Sequence, residues 1–277
     1  MVDVAVLSGE LLAEMAGYGR TLVAFSGGVD SSVVLAGAVR ALGAAQVAAV
    51  TAVSPSLPGD ELEAAREFCA GLGVTHHTPA TDEMDVPGYR ENGPRRCYFC
   101  KSVLLDTANS LADRLGFATI TTGTNASDVV AGFRPGIKAA AERGARTPLA
   151  DTGMDKAAVR AVARHWGLPV WDKPAAACMA SRVAYGISVT PARLARIERA
   201  ESAVRGALGG AVRDLRVRDL GDAVRLEIDS ELVERARGDQ AVSAAIRTAG
   251  FASAPIRVET FRSGSMNDVL ADSDTGE

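Results

Sequence analysis

Cysteine is scarce in this sequence, and what the chain lacks excludes several classes of protein. Four cysteines in 277 residues are too few and too unevenly spaced for the disulfide framework of a small secreted domain. No uninterrupted apolar run is long enough to span a bilayer, and the first twenty residues do not resemble a secretory leader. We therefore expect a cytoplasmic protein whose cysteines are reduced thiols, metal ligands or catalysts.

An excess of positive charge is also absent, since 30 lysines and arginines face 34 aspartates and glutamates. A net charge of -4 gives no field that would attract a polyanion at long range, so we expect neither nucleic acid nor a membrane as a partner. The hydrophobic fraction of 47% is typical of a globular protein. The length favours one large domain and a smaller one.

Short apolar runs alternate with helical patterns over the first two thirds of the chain. The runs cover residues 21–25, 47–53, 74–80 and 117–123. This alternation predicts an α/β fold with a parallel sheet covered on both faces, in which ligands gather at the carboxyl ends of the strands. We assign this domain to residues 1–175.

The last third of the chain has a different pattern. Thr190 and Pro191 are suited to the start of a helix, and two strand-like runs follow at 212–221 and 222–228. A helix over 232–249 and a final run at 255–261 complete the pattern. We expect a small α+β domain over 176–277 that serves substrate binding or oligomerisation.

The stretch SGGVDSS, residues 26–32, follows the first strand and opens a helix. Glycine amides and the positive end of a helix dipole suit a pyrophosphate group, although the lysine of a Walker loop is missing. Asp30 beside phosphates makes electrostatic sense if a divalent cation lies between them. A simple glycine turn in which Asp30 and Ser31 cap the helix is the alternative from the residues alone.

The string from Ser26 to Ser31 after an apolar strand resembles the signature of the PP-loop, or N-type ATP pyrophosphatase, superfamily. The resemblance implies that ATP, with Mg²⁺ on Asp30, is cleaved between its α and β phosphates to form an adenylate. The candidate residues for ATP and pyrophosphate are Ser26, Gly27, Gly28, Val29, Asp30, Ser31, Ser32, Thr51, Gly123, Asp128 and Arg134.

The members outside the glycine turn follow predicted strands. Thr51 follows the second strand, where the adenine should sit against main-chain atoms, and Gly123 would allow close approach of a nucleotide. Asp128 could serve magnesium, while Arg134 and Lys138 would suit the charge of pyrophosphate. An ordinary turn with local hydrogen bonds is the alternative for residues 122–128.

Further strings narrow the resemblance. Residues 94–101, 122–128, 133–140, 173–186 and 262–268 resemble the ATP-dependent sacrificial sulfur transferases of the LarE type. The resemblance implies that a carboxylate of pyridinium-3,5-biscarboxylic acid mononucleotide is adenylated and converted to a thiocarboxylate, in the synthesis of a nickel-pincer nucleotide. It also implies a symmetric homo-oligomer.

By this resemblance, Cys178 carries the sulfur, and Arg182 nearby would favour its thiolate form. Alternatively, Cys97 and Cys100 would hold a 4Fe-4S cluster together with Cys178, as in family members with three such cysteines, and the cluster would carry the sulfur and permit repeated turnover. From the residues alone, two reduced and packed thiols are favoured for the C-x-x-C pair, and zinc, which would want a fourth ligand, is not distinguished from a cluster. Cys69 falls on the apolar face of its helix and is expected in the core.

Arg216 and Arg218 alternate along a predicted strand, so their side chains share one face. The residues alone favour an exposed antiparallel pair crossed by salt bridges. The resemblance shifts this interpretation toward binding of the substrate phosphate by Ser181, Arg182, Arg216 and Arg218. Glu201 and Glu227 are candidates for a metal site or a subunit contact.

Two other functions are compatible with a PP-loop. A tRNA thiolase or an ammonia-using amide ligase would keep the nucleotide site and change the acceptor, but the acidic chain shows no RNA-binding appendage. An amide ligase would leave Cys178 and the C-x-x-C pair without a role. A regulator that binds ATP without turnover is the third hypothesis.

Overall fold

The computed structural model describes residues 3–132, 134–174, 177–209, 212–262 and 264–267. The chain divides into two compact units. The first comprises Met1–Ser54, Gly59–Glu83 and Cys97–Ala175, and the second comprises Pro55–Pro58, Met84–Arg96 and Ala176–Glu277. Residues 175 and 176, where we predict the domain boundary, lie outside the described residues, and so do Phe133, Ser263 and Asp268 of the family strings.

The elements are short strands and helices that follow one another closely. The strands are β1 (Thr21–Ala24), β2 (Val47–Val50), β3 (Thr75–His77), β4 (Thr119–Thr121), β5 (Leu215–Asp219), β6 (Val224–Ile228) and β7 (Ile256–Thr260). The helices are α1 (Val4–Met15), α2 (Val29–Leu42), α3 (Gly59–Gly71), α4 (Pro87–Arg90), α5 (Arg96–Leu115), α6 (Ala126–Val130), α7 (Pro135–Glu142), α8 (Pro148–Asp151), α9 (Lys156–His165), α10 (Pro191–Ala207), α11 (Val233–Gly238) and α12 (Gln240–Thr248).

The first unit contains a four-stranded parallel sheet in the order β3-β2-β1-β4. Successive side chains of a strand point to opposite faces, so Leu22 packs in one apolar cluster with Leu105 and Val23 in the other with Val33. Every residue of β1 and β2 is buried, which explains their continuous apolar sequence. The predicted α/β fold with a covered parallel sheet is confirmed.

The second unit contains a three-stranded sheet in the order β5-β6-β7. β5 pairs antiparallel with β6, and β6 pairs parallel with β7 after the crossover through α11 and α12. α10 contacts β5 and α12. The helix predicted over 232–249 is instead two helices, because Asp239 has an extended backbone and caps α12 through the amides of Ala241 and Val242.

A buried carboxylate ties α10 to the sheet of the second unit. Asp219, at the end of β5, accepts hydrogen bonds from Arg193 at 2.7 Å and from Arg196. Burial acts to raise the pKa of Asp219, but the bonds from Arg196, the Gly221 amide and Arg193 hold it below the ordinary value. These contacts fix the strand that carries Arg216 and Arg218.

The described residues include no helix long and apolar enough to cross a membrane. The cytoplasmic location stays a prediction.

Candidate functional site

The glycine turn connects β1 to α2 in the first unit. Gly27 has a φ of 71°, a conformation that favours glycine, and Gly28 precedes the first helical residue with an extended backbone. The Ser31 hydroxyl donates to the Gly28 carbonyl at 3.1 Å and accepts from the Ser26 amide at 3.3 Å. The turn is therefore held in shape by its own hydroxyl group.

The main-chain amides at the start of α2 suit an anion. The first intrahelical bond runs from the Ser32 amide to the Gly28 carbonyl at 3.0 Å, so the amides of Val29, Asp30 and Ser31 precede it. The side chains of Val29 and Ser32 are buried, and Val29 belongs to the apolar core. Contact of either residue with a nucleotide stays a prediction, and at Val29 only the main chain could make it.

The carboxylate of Asp30 has two partners in the first unit. Asn125 Nδ2 donates to Asp30 Oδ1 at 2.9 Å, and the Lys156 ammonium pairs with Asp30 Oδ2. The Asp30 side chain keeps 21% of its surface exposed. The Asp30 carboxylate thus already accommodates one cation, the Lys156 ammonium. A carboxylate oxygen is also a ligand that fits Mg²⁺.

Gly123 follows β4 and lies against the start of α2. A Cβ atom at this position would lie 2.7 Å from the Ser31 nitrogen and 3.0 Å from the Asp30 carbonyl carbon. The close approach that glycine permits here is to the backbone of α2. This packing places Asn125, two residues further on, within reach of Asp30.

Asp128 and Arg134 follow Gly123 and Asn125 in the chain and belong to the first unit. Asn125 and Asp128 form a capping box at α6, as the alternative interpretation of this turn predicts. Asp128 Oδ1 also lies 3.8 Å from an Arg134 guanidinium nitrogen, and the Arg134 side chain is 53% exposed. The role of both residues in binding ATP stays a prediction, as does that of the exposed Lys138.

A second lysine reaches the glycine turn from 146 residues away. Lys173 Nζ donates to the Gly27 carbonyl at 3.2 Å and to Glu61 Oε2 at 2.6 Å. Arg160 holds the segment before it, through the carbonyls of Trp171 at 2.9 Å and Lys173 at 2.8 Å. A distant part of the chain therefore places an ammonium group beside the glycine turn.

The loop after β2, where the adenine is predicted, is shaped by buried polar contacts. The Thr51 hydroxyl donates to the Phe25 carbonyl at 2.6 Å and contacts His76 Nε2 at 2.8 Å, while its amide bonds to the sheet. The buried Glu83 carboxylate accepts hydrogen bonds from Ser54 and from Thr81, the latter at 2.8 Å. The side chain of Thr51 therefore serves the fold.

The C-x-x-C pair lies in the first turns of α5. Cys97 and Cys100 are three residues apart, so they share one side of the helix. Cys97 is exposed and Cys100 is half-buried, whereas Cys69 lies in the core, where burial raises its pKa to about 12. Two thiols on one helix face fit two ligands of a cluster; in the part of the chain that the structure describes, no three metal-binding side chains form a group.

Cys178 belongs to the second unit and immediately precedes a 3-10 helix, Met179–Arg182. Its carbonyl accepts the Ser181 hydroxyl at 2.7 Å and the Arg182 guanidinium at 3.1 Å. The Arg218 guanidinium in turn donates to the Ser181 carbonyl at 3.2 Å. The half-buried cysteine is therefore fixed against the strand that carries the predicted phosphate ligands.

Three buried arginines lie together in the second unit. Arg182 pairs with Glu201 at 3.0 Å, and Arg218 pairs with Glu227 at 2.8 Å. Burial and the positive charges of Arg182 and Arg218 lower the pKa of Arg216, against the opposing effect of Glu201. Arginine side chains gathered in this way suit a phosphate dianion, which they can bind in bidentate fashion.

The arginines are not the exposed ion pairs that the residues alone favour. Arg216, Arg218 and Glu227 are at least nine-tenths buried. Glu201 accepts the Val217 amide at 2.9 Å, and Glu227 accepts the Ser265 hydroxyl at 2.7 Å. Both glutamates therefore serve ion pairs inside the unit, and their predicted role in a metal site or subunit contact stays a prediction.

Several residues of the site are missing from the sequence-based prediction. They are Glu61, Asn125, Lys156 and Lys173. Lys156 is the first residue of α9, and Lys173 begins one of the family strings. For Lys173 the available signal is its place at the start of that string, but only the fold shows that Lys173 reaches Gly27 and that Lys156 reaches Asp30.

Comparisons with known proteins agree with this geometry. The profile of the asparagine synthase family matches residues 14–96, which include the glycine turn. An uncharacterised protein of Synechocystis sp. is 41% identical over 254 residues, covering 91% of this chain and 93% of its own. The pyridinium-3,5-bisthiocarboxylic acid mononucleotide synthase of Lactiplantibacillus plantarum is 32% identical over 271 residues, covering 98% of this chain and 97% of its own.

A relative that is nearly a third identical over almost the whole of both chains shows the family. The asparagine synthase profile supports an ATP-cleaving PP-loop domain in the first part of the chain. The chain therefore belongs to the LarE family of ATP-dependent sulfur transferases, with a nucleotide-binding domain of the PP-loop type.

Proposed function

We propose that the protein uses ATP to convert a carboxylate of pyridinium-3,5-biscarboxylic acid mononucleotide into a thiocarboxylate, in the synthesis of a nickel-pincer nucleotide. The relative named for the bisthiocarboxylic acid product supports this substrate. The observation that carries the proposal is the position of Cys178, which is fixed through its carbonyl to Ser181 and Arg182 beside buried arginines.

The first half-reaction belongs to the glycine turn. A carboxylate oxygen of the substrate attacks the α-phosphorus of ATP, the bond to the β-phosphate oxygen breaks, and pyrophosphate leaves with the electron pair. The α2 amides and the Lys173 ammonium would hold the leaving pyrophosphate. Mg²⁺ on Asp30 would neutralise charge on the phosphates, and Arg134 and Asp128 lie near the same edge.

The second half-reaction belongs to Cys178. Its thiolate attacks the acyl carbon, AMP leaves with the electron pair, and a thioester to the enzyme forms. Removal of the Cys178 Cα proton then supplies the electron pair of a Cα–Cβ double bond, and the Cβ–S bond breaks with its pair on sulfur. The products are the thiocarboxylate and a dehydroalanine residue, so each chain reacts once.

The phosphate of the mononucleotide would bind at the arginine cluster. Arg216 and Arg218 would contact it in bidentate fashion, together with Ser181 and Arg182. Phosphate binding here would place the pyridinium ring near Cys178, because Ser181 contacts both Cys178 and Arg218.

A cluster is the second possible sulfur source. Cys97 and Cys100 on one face of α5, with Cys178, would hold three irons of a 4Fe-4S cluster. Such a cluster would supply the sulfur and leave the chain intact for another turnover. The exposed Cys97 and the half-buried Cys100 support ligation, since neither is sealed in the core.

One experiment separates the two sources. The protein is purified without oxygen, assayed for iron and labile sulfide, and weighed intact before and after a single turnover with the biscarboxylate mononucleotide and ATP. Loss of one hydrogen sulfide from Cys178 supports the sacrificial route, whereas bound iron with an unchanged chain supports the cluster. Cys97→Ser should remove iron in the second case and leave single turnover intact in the first. Absence of any thiocarboxylate product would contradict the proposed function.

We propose further that the domain boundary lies near residues 175–176 and that the second domain mediates a homo-oligomer. The division of the chain into two units supports the boundary. Light scattering measures the molar mass of the purified protein and of a Cys178→Ala variant in solution. A monomer at assay concentrations would contradict the homo-oligomer.

A further inference from the structure

Lys156 occupies the place at which the proposed reaction requires a metal ion. Its ammonium pairs with Asp30 Oδ2, while Asn125 Nδ2 occupies Oδ1. The main chain of Lys156 is held separately from its side chain, since its amide donates to Ser127 Oγ at 3.1 Å. The position of the residue is therefore set by its backbone, and the ammonium is held by Asp30.

We propose that the Lys156 ammonium is a placeholder, a cation that occupies the place of Mg²⁺ on Asp30 until the metal binds. Mg²⁺ then displaces the ammonium, and the ammonium pairs with the pyrophosphate portion of ATP. The inference rests on the proposed function, because it concerns the same nucleotide site. One carboxylate cannot give its full charge to both an ammonium and a divalent cation, so the two compete. Phosphate oxygens brought by ATP give the displaced ammonium a new partner.

The geometry suits an exchange of partners. The Lys156 side chain is 39% exposed and that of Asp30 is 21% exposed, so water competes for both charges and the pair is weak. Lys156 is the first residue of α9, and Asp155 caps that helix through the Ala158 amide at 2.8 Å. The fixed backbone and the flexible four-carbon stem let the ammonium move while the helix stays in place.

The placeholder also explains how a carboxylate at the anion-binding end of α2 is kept from repelling the phosphates of ATP. Without a cation, Asp30 would repel the phosphates that the α2 amides attract. With Lys156 in place, the nucleotide-free site carries no net negative charge at Asp30. When metal and nucleotide bind, the pair of Asp30 and Lys156 is replaced by two pairs of opposite charge, Asp30 with the metal and Lys156 with the phosphates.

The test is binding of Mn²⁺ alone to the full chain, followed by electron paramagnetic resonance without any nucleotide. Lys156→Met should bind Mn²⁺ about two- to fivefold more tightly than the wild type, the fold-change expected for removing one weak ion pair. Asp30→Asn in the Lys156→Met background should abolish this gain. Arg114→Met removes one positive charge from an exposed position of the first unit and should leave Mn²⁺ affinity unchanged.

Equal Mn²⁺ affinity in Lys156→Met and the wild type would overturn the proposal, and so would an equal gain in Arg114→Met, which would indicate a general charge effect. Absence of Mn²⁺ binding in both proteins would also overturn it. None of these outcomes depends on sulfur transfer, so a failure here is distinguishable from a failure of the proposed function.

A second measurement needs no variant. Lysine acetylation by an N-hydroxysuccinimide ester is quantified by mass spectrometry, with the 75% exposed Lys138 as the internal reference. Mn²⁺ should raise acetylation of Lys156 relative to Lys138 severalfold, because the ammonium leaves Asp30. An unchanged ratio at saturating Mn²⁺ would overturn the proposal.

Discussion

Replacing Lys173 by methionine tests whether a lysine from outside the glycine turn holds the leaving pyrophosphate. Lys173 and Glu61 keep 23% and 20% of their side-chain surfaces exposed, so their ion pair contributes about 1 kcal/mol or less to stability. A charge-assisted hydrogen bond to phosphate is worth about 1.5–3 kcal/mol. Lys173→Met should therefore lower kcat/KM for ATP by about 10- to 150-fold while the unfolding free energy changes little.

The assay is the initial rate of pyrophosphate release at saturating mononucleotide, with unfolding in urea measured on the same samples. Glu61→Gln is the matched control, because it breaks the same ion pair and leaves the ammonium in place. We expect Glu61→Gln to lose less than about threefold in kcat/KM, a small effect for a partly exposed pair. Equal losses in both variants, or full activity of Lys173→Met, would refute the assignment of Lys173 to pyrophosphate.

Three further predictions concern packing and exposure. Gly123→Ala should lower the unfolding free energy in urea by about 1–3 kcal/mol, because its methyl group would lie 2.7 Å from the Ser31 nitrogen; wild-type stability would contradict this contact. A thiol reagent should label Cys97 in the native protein and leave Cys69 unlabelled, since burial raises the pKa of Cys69 to about 12, and rapid labelling of Cys69 would show the core is open. Asp219→Asn should cost about 3 kcal/mol at neutral pH by chemical denaturation. Because the folded pKa of Asp219 lies below its ordinary value of 3.8, wild-type stability from this group should be lost as pH falls below about 4, and this loss should be absent in the variant.

The parallel sheet could be predicted from the sequence because burial of both faces demands continuous apolar strands. β1 and β2 are fully buried and appear in the sequence as unbroken apolar runs. Asp239 marks the limit of this reasoning, since a helical pattern spans it although its side chain caps a new helix. The pair Gly238 and Asp239 is a sequence signal for the end of one helix and the start of the next, which periodicity alone overlooks.

The glycine turn could be recognised because its function needs consecutive local residues. Lys156 and Lys173 could not be assigned, because they lie 126 and 146 residues from the groups they contact, and only the fold brings them there. The burial of Arg216 and Arg218 was also missed. An alternating strand indicates a shared face, but whether that face is exposed depends on what packs on it.

The central claim is that ATP is cleaved between its α and β phosphates to activate a carboxylate of the substrate. Phosphorus NMR of the reaction with ATP, Mg²⁺ and the biscarboxylate mononucleotide measures this directly. The account predicts AMP and pyrophosphate in equal amounts, formed only when the mononucleotide is present. Formation of ADP and orthophosphate would contradict it.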